Sequence, residues 1–501
     1  MKFYDIDNAL QEAINTADKP VRLKVEIESC NDYLHKVFEQ DIIEAKFYGL
    51  KEATGGISAR GELTLDNYHG AYSFSDVKSG SKVIISFSLG EGLVYFQRFI
   101  FFIDDKGVQD IKGNGRKRSV FISLQDLSAK LRKSDEAKDW SSPVTFVYSV
   151  VYDKTIPNKS LVHGIAKRAG LKAEDIDCAT IPVIIPFVVL QNNVWSELSS
   201  LATAYRCHLE CAPEKPLVFA HSPYQSEPLA ENKYSHTFYS EDIFYLKKIE
   251  RADYYRNTVR LKVNMPVTLE KQEIWRYNEQ PVFYDDKLQP YYPFKAPLER
   301  EIEIRKYEAK YMIIDAEGRE RDVIFADQID SKKEAENRLD YDSGSFFYSH
   351  YDTFSNYDKA IVTLKKENDG DLYTASIHGR PIVYDINRSC FLGDEKEIAD
   401  NGTVALNVTG SYFSDDKVPD KLSGTLQGEP QYKDWVKREL AQRVQRKNEF
   451  TVKTHRALFH ARVGAQVKIK TRNDEYSGTI SAFSFLYKRD TAFIAEFKSL
   501  S

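Results

Sequence analysis

The sequence predicts a β-rich α+β multidomain chain: two antiparallel β-barrel domains, a small α+β domain bracing them, and an inserted β-rich domain. Three observations predict it. Apolar and polar residues alternate cleanly in the first hundred residues, and a further run of short strands closes the chain. The 31 Tyr and 29 Phe outnumber the 4 Trp and 3 Met, and both residue types favour strands. Between the two strand-rich ends, Ile156–Ala220 reads as helix, extended run, helix and hairpin, with every boundary signalled. A length of 501 residues is enough for three or four domains of roughly 150 residues. The expected divisions are 1–140, 141–235, 236–270 together with 425–501, and an insertion at 271–424.

The first barrel is read strand by strand. Val21-Arg-Leu-Lys-Val-Glu-Ile-Glu28 alternates, so one face is buried and one solvated. Asp41–Tyr48 can pair with it, Gly55-Gly56 interrupts, and Ile57–Asn67 alternates again to a turn. Gly80–Leu89 and Tyr95–Ile103 flank a Gly90-Glu-Gly92 turn. Arg118–Leu124 is a further strand, followed by a short helix from Gln125 to Leu131.

In the middle unit, Asn158 and Ser160 are placed to start a helix whose buried face carries Leu161, Val162, Ile165, Ala166 and Ala169, with Gly170 stopping it. Prolines keep Ile181–Leu190 extended. Asn193 caps a second helix with Glu197 in its first turn and Val194, Leu198, Leu201, Ala202 and Tyr205 on its buried face. Cys207, Leu209 and Cys211 alternate along a strand that Pro213-Glu-Lys-Pro216 turns back into Leu217–Phe219.

Asp242–Ile249 and Asn257–Val263 restart a sheet. Residues from about 270 to 425 carry Tyr/Pro clusters, acidic runs and short β signals, and form the expected insertion. Gln431–Lys447 is a helix burying Trp435, Val436, Leu440 and Val444. A meander follows, with strands at Phe450–Thr454, Ala457–Arg462, Val467–Lys470, Tyr476–Tyr487 and Thr491–Lys498.

A net charge of −5 argues against a chain-wide nucleic-acid binder. Five scattered cysteines, Cys30, Cys178, Cys207, Cys211 and Cys390, suit a reducing place of synthesis and no disulfide framework. The acidic start, Met-Lys-Phe-Tyr-Asp-Ile-Asp, lacks the apolar core of a signal peptide, and no apolar run reaches the ~18 residues of a membrane span. A soluble protein made in the cytoplasm is expected.

No catalytic, cofactor-binding or metal-ligating residue is expected. Cys207 and His208 fall on opposite strand faces and cannot easily share an ion, so they read as small buried residues. No Gly-x-Ser-x-Gly elbow occurs, and His455 and His460 lie singly in the meander. Asp340, Asp342 and Asp352 lie among Tyr341, Phe346, Phe347, Tyr348 and Tyr351. That pattern describes either a sugar-stacking site with paired carboxylates or a Tyr-rich loop against a neighbouring subunit. Gly113-Asn-Gly-Arg-Lys-Arg118 joins two strands instead of opening a helix, so it is a basic turn. Between Lys421 and Arg472 there are thirteen Lys/Arg against four Asp/Glu. Lys433, Lys437, Arg438, Arg443, Arg446 and Lys447 decorate the helix, either as a solvated helix face, as subunit ion pairs, or as a contact for a polyanion or an acidic ring partner.

The order of these parts resembles the phage tail hub and baseplate hub family of siphophages, gene transfer agents and contractile tails. Gly61-Glu-Leu-Thr-Leu-Asp-Asn67, Gly70-Ala-Tyr72, Gly80-Ser-Lys-Val83 and Leu124-Gln-Asp-Leu-Ser-Ala-Lys-Leu131 are similar to its first domain. Ala169-Gly-Leu171, Trp195-Ser-Glu-Leu-Ser-Ser-Leu-Ala202 and Lys215-Pro-Leu-Val-Phe219 are similar to its middle domain, and Val463–Ile469 with Glu496-Phe497 to its last strands. The resemblance covers most of 20–265 and 430–501. It implies a homotrimer whose two tail-tube-like barrels per chain make a pseudo-sixfold ring joining the sixfold tail tube to a threefold tip. Implied partners are the distal tail protein and tail tube rings, the tape-measure protein and a tip, spike or fibre protein. DNA would pass through the lumen without sequence-specific binding, and the location is the virion, after assembly in the host cytoplasm. Some tail-tip proteins of this kind hold an iron–sulfur cluster, but this chain lacks four clustered cysteines, so no cofactor is carried over. The rival expectation is a glycan-binding or cell-wall-hydrolysing protein with its site in 271–424.

Overall fold

A computed structural model describes most residues of 4–263 and 389–500 with their side chains, and strand backbones alone between 265 and 385. The longest segments outside the description are 222–233, 327–338 and 415–429. The chain is β-rich, its sheets are mainly antiparallel, and helices are few.

After helix α1 (Asn8–Asn15) come seven strands: β1 (Val21–Glu28), β2 (His35–Phe38), β3 (Ile42–Lys51), β4 (Gly56–Asp66), β5 (Lys82–Leu89), β6 (Phe96–Lys112) and β7 (Arg118–Gln125). The middle unit follows, with α2 (Leu127–Lys133), β8 (Thr145–Tyr152), α3 (Leu161–Lys167), β9 (Ile176–Cys178), β10 (Ile181–Val189), α4 (Val194–Ala204), β11 (Cys207–Glu210) and β12 (Leu217–His221). Next are β13 (His236–Tyr239), β14 (Ile243–Arg251) and β15 (Thr258–Val263). Strands β16–β28 lie between Met265 and Asp385. The chain continues with β29 (Ser389–Gly393), α5 (Glu395–Asn401), β30 (Ala405–Gly410), α6 (Gln431–Arg443), β31 (Lys447–Thr454), β32 (Gln466–Lys470), β33 (Glu475–Lys488) and β34 (Ile494–Leu500).

One ladder joins the two ends of the chain. Its strand order is β14-β31-β34-β33-β3-β4-β7-β6-β5-β1-β2, so strands from beyond residue 447 continue directly into strands from before residue 125. The joint is antiparallel, running from Glu44 opposite Lys488 to Leu50 opposite Ala482. The path is open, with β14 at one end and β2 at the other, and both strand groups share one hydrophobic core. Phe47 of β3 stacks on Phe99 of β6 with ring centroids 5.3 Å apart, and Phe99 meets Phe483 of β33 at 6.0 Å. Phe87 of β5 stacks on Phe459 at 5.1 Å. The abundance of Phe therefore has a physical cause: large inward rings at alternate strand positions fill one space from both halves.

The joint needs glycine at one point. Gly49 lies opposite Phe483, and a Cβ there would come within 2.3 Å of that ring. Gly49→Val should cost about 1–3 kcal/mol by overpacking, measured as a lower denaturant midpoint. An unchanged midpoint would mean that the ring does not lie over β3.

The middle unit has its own core, which also contains Val259, Leu261 and Val263 of β15 and Trp435, Val436 and Leu440 of α6. The expected helix starts are present. Asn193 Oδ1 accepts from the Ser196 amide at 2.9 Å. Helix α3 begins after Ser160, whose hydroxyl instead accepts from the Asp153 amide at 3.0 Å. Gly170 stops the helix in the left-handed region at φ +80°. Strand β11 runs parallel to β4 through Leu209 and Glu210, so the unit branches from the large sheet.

Four readings change. Asp41–Tyr48 does not pair with Val21–Glu28: β3 lies between β4 and β33, while β1 lies between β5 and β2. Ala457–Arg462 is not a strand: it is an irregular segment whose Leu458, Phe459 and Ala461 sit in the shared core. The strand beginning near Tyr95 runs on to Lys112, with a register shift against β7 between Ile103 and Val108. Strand β14 does pair with β31, as expected for a sheet completed by the end of the chain. Strand β15 instead forms a separate three-stranded sheet with β29 and β30.

Candidate assembly surface

Three places in the fold concentrate polar or exposed groups that packing alone does not explain. The first is the joint between the large sheet and the middle unit. Glu52, at the end of β3, holds Arg132 of α2 with one carboxylate oxygen and accepts from Trp195 Nε1 of α4 at 3.2 Å with the other. The Arg132 guanidinium also lies 5.4 Å from the Trp195 ring centre. Beside it, buried Asp126 accepts from the Ala59 amide of β4 and from the amide and hydroxyl of Ser128, capping α2 while tying it to the sheet.

Burial pushes the Asp126 carboxyl up to about 6 from 3.8, against the hydrogen bonds from Ser128 and Ala59. The folded state therefore binds the proton more tightly than the unfolded chain. Asp126's contribution is full below pH 3.8 and is lost as pH rises through 6, a swing of about 3 kcal/mol. Asp126→Ala should remove that pH dependence and cost about 1–3 kcal/mol through the lost cap and the undonated Ala59 amide. Urea midpoints measured from pH 4 to 7 check both effects.

The second place is a polar cluster inside the shared core. Between β5 and β6 the register shifts, so that Ile85 faces Phe99 and Ser86 faces Gln97, leaving Arg98 as the extra residue of a bulge. The bulge turns Arg98 inward. Its Nε and Nη2 each donate at 2.8 Å, to the carbonyls of Phe459 and Ala461. Its guanidinium lies 4.3 Å from the Phe99 ring centre and 4.6 Å from that of Tyr4. Burial lowers its pKa to about 10, so it stays charged at neutral pH. Arg462 lies over Tyr4 at 4.8 Å and pairs with buried Glu210 of β11.

The third place is the pair of open sheet edges. Strand β14 pairs only with β31, and β2 only with β1, among the described residues. Phe244, Tyr245 and Tyr239 are 50%, 42% and 46% exposed at or beside β14, and Val37 of β2 is 48% exposed. Lys247 and Lys248 lie on β14, while Glu39 and Asp41 follow β2. Unpaired edges bearing exposed apolar residues, nine residues long in β14 and four in β2, are the pattern that intermolecular strand pairing uses.

The residues weighed for chemistry do not converge. Cys207 and His208 occupy adjacent positions of β11, on opposite faces that are both buried. Cys207 and Leu209 belong to the middle core, and burial pushes the Cys207 thiol up to about 12. Burial also holds His208 well below its usual range, with Lys51 and Arg462 near it. Among the described residues no group of three or more His, Cys, Asp or Glu is gathered as a metal site. His455 stacks on Phe244 at 4.4 Å and bonds the Phe493 carbonyl at 3.1 Å. On α6, Arg438 pairs with Asp434 and Arg443 with Glu439, each one turn away on the same helix. Asp340, Tyr341 and Asp342 lie on a strand paired with 374–377, and Phe346, Phe347 and Tyr348 on one paired with 363–365; their side chains lie outside the description. Tyr351, Asp352, Cys30, residues 113–117 and Arg446 lie outside the described residues. No helix among the described residues is long and apolar enough to cross a membrane.

Sequence reasoning missed Arg98. A single Arg in Phe96-Gln-Arg-Phe-Ile-Phe-Phe-Ile103 was the available signal, but alternation alone assigns it to the side opposite Phe99. Only the bulge brings it in.

No protein-family model and no curated protein matches the chain. Solved structures of tail proteins are similar to it. A tail protein from Neisseria meningitidis MC58 is 10% identical with a TM-score of 0.47, over 96% of this chain and 96% of that one. The 43 kDa tail protein of prophage MuSo2 from Shewanella oneidensis is 9% identical with a TM-score of 0.44, over 95% and 98%. Prophage tail protein gp18 from Listeria monocytogenes EGD-e is 10% identical with a TM-score of 0.42, over 95% and 94%.

Proposed function

We propose that the chain is a non-enzymatic structural hub at the distal end of a phage or phage-like tail, working as a homotrimer. In this reading 1–140 and 236–270 with 425–501 are two barrel-type hub domains, 141–235 braces them, and 271–424 is an insertion. Three chains present six similar domains to a sixfold tail tube and three identical faces to the tip, around a channel for DNA or another cargo. Its neighbours in the virion are the distal tail and tube protein rings, the tape-measure protein and a tip or fibre protein.

The observation that carries the reading is the β3–β33 ladder, which fuses the two strand groups side by side and leaves one open edge at each end. Two different edges on one subunit make a head-to-tail contact, and such contacts close into rings when the rotation allows it. The ring then has two kinds of joint: β3–β33 within a chain, and β14 against β2 of the next. Exposed Tyr245 and Val37 lie at the second kind. Introducing Tyr245→Glu together with Val37→Glu should convert the trimer to a 57.7 kDa monomer by light scattering while leaving its circular dichroism unchanged. A double variant that stays trimeric sinks this joint.

A further inference from the structure

We propose that the lead-in and first helix, Tyr4–Asn15, form an acid-sensitive strap over the shared core, released when His460 and His236 take up protons. The strap has two attachment points, and one of these histidines stands at each. At the first, the Tyr4 amide donates to the His460 carbonyl at 3.1 Å, and the Tyr4 ring lies between the guanidinium groups of Arg98 and Arg462. At the second, Arg456 donates to the Ile14 carbonyl at 3.4 Å while its Nε holds Asp242 at 2.7 Å. Leu10, Ala13 and Ile14 of α1 are buried in the shared core, so lifting the strap uncovers apolar surface.

The charges around each histidine set the direction. His460 faces Arg98 and His236, and its neighbours in sequence supply the carbonyls that Arg98 clamps. A proton there adds a second positive charge beside a buried guanidinium. His236 faces Asp242 and Arg456, with Phe238 edge-on at 4.7 Å. A proton there competes with Arg456 for Asp242 and loosens the hold on Ile14. Burial keeps both imidazoles neutral in the closed state, lowering His236 to about 4 and His460 to about 3 from 6.5. The open state binds these protons and the closed state does not. Closure is therefore fully favoured above pH 6.5 and weakens as pH falls, tenfold per unit per histidine.

The test is hydrogen exchange of the full chain, read peptide by peptide between pH 7.5 and 5 after correction for intrinsic rates. Between pH 7.5 and 5, protection of Tyr4–Asn15 should fall about 10³-fold, roughly thirtyfold from each histidine, while β4 and β7 stay protected. His236→Gln and His460→Gln should each make the dependence shallower by about tenfold per unit. If His460→Gln does not fold, the wild-type slope and His236→Gln decide. Protection of the strap that is unchanged at pH 5, that falls together with β4 and β7, or that keeps its wild-type slope in His236→Gln overturns the proposal.

Discussion

Arg98→Met should lower the stability of the folded chain by about 3–5 kcal/mol, read as a shift in the urea midpoint at constant slope. Met fills much of the same volume but donates nothing, so the Phe459 and Ala461 carbonyls each lose a charge-assisted bond at 2.8 Å inside the core. Arg98→Lys should recover only part, because an ammonium keeps the charge without the planar fork that reaches two carbonyls at once. The loss should be largest in the 455–463 segment, whose backbone has no strand partner to fall back on. A cost below about 1 kcal/mol would mean that water or local repacking satisfies those carbonyls, and that Arg98 does not fasten the segment.

Phe485→Ala should cost a further large amount, about 3–5 kcal/mol, from the cavity and lost transfer energy of a fully buried ring. Phe485 lies on β33, the strand that joins the two halves. Its ring meets Phe483 at 4.7 Å, Phe493 at 5.8 Å and Phe497 at 6.1 Å within its own half, and Phe87 and Phe99 at 6.4 Å across the joint. Because one core serves both strand groups, the variant should lower a single unfolding transition. Two transitions, only one of them shifted, would show that the halves fold as separate barrels. Val94→Ala, at a 71% exposed position just before β6, should stay within about 0.5 kcal/mol and serves as the control.

What was legible in the sequence follows from the range of the forces involved. Asn193, Gly170 and the prolines of Ile181–Leu190 act within a few residues, so the middle unit was read almost as it stands. Strands β1 and β3 to β7 were likewise legible, because each alternating run buries one face, whereas the four-residue β2 was not. Ala457–Arg462 was misread because the Phe459 and Ala461 carbonyls are taken by Arg98, more than 350 residues earlier in the chain. Nothing local encodes that contact. The shared core was equally hidden: Phe87 and Phe485 carry no sign in sequence that they meet. The helix Gln431–Arg443 was found, but not its seat. It docks on the middle unit, with Trp435 Nε1 donating to the Thr203 carbonyl at 3.2 Å. Of the assembly surface, the strands were visible and the edges were not, because an edge is defined by the partner a strand lacks.

Ring closure is tested most directly by particle averaging of the purified chain. It predicts threefold-symmetric rings with six similar lobes around a central channel, and a solution mass three times the 57.7 kDa chain. Particles without symmetry, at a mass of one chain even at high protein concentration, would contradict it.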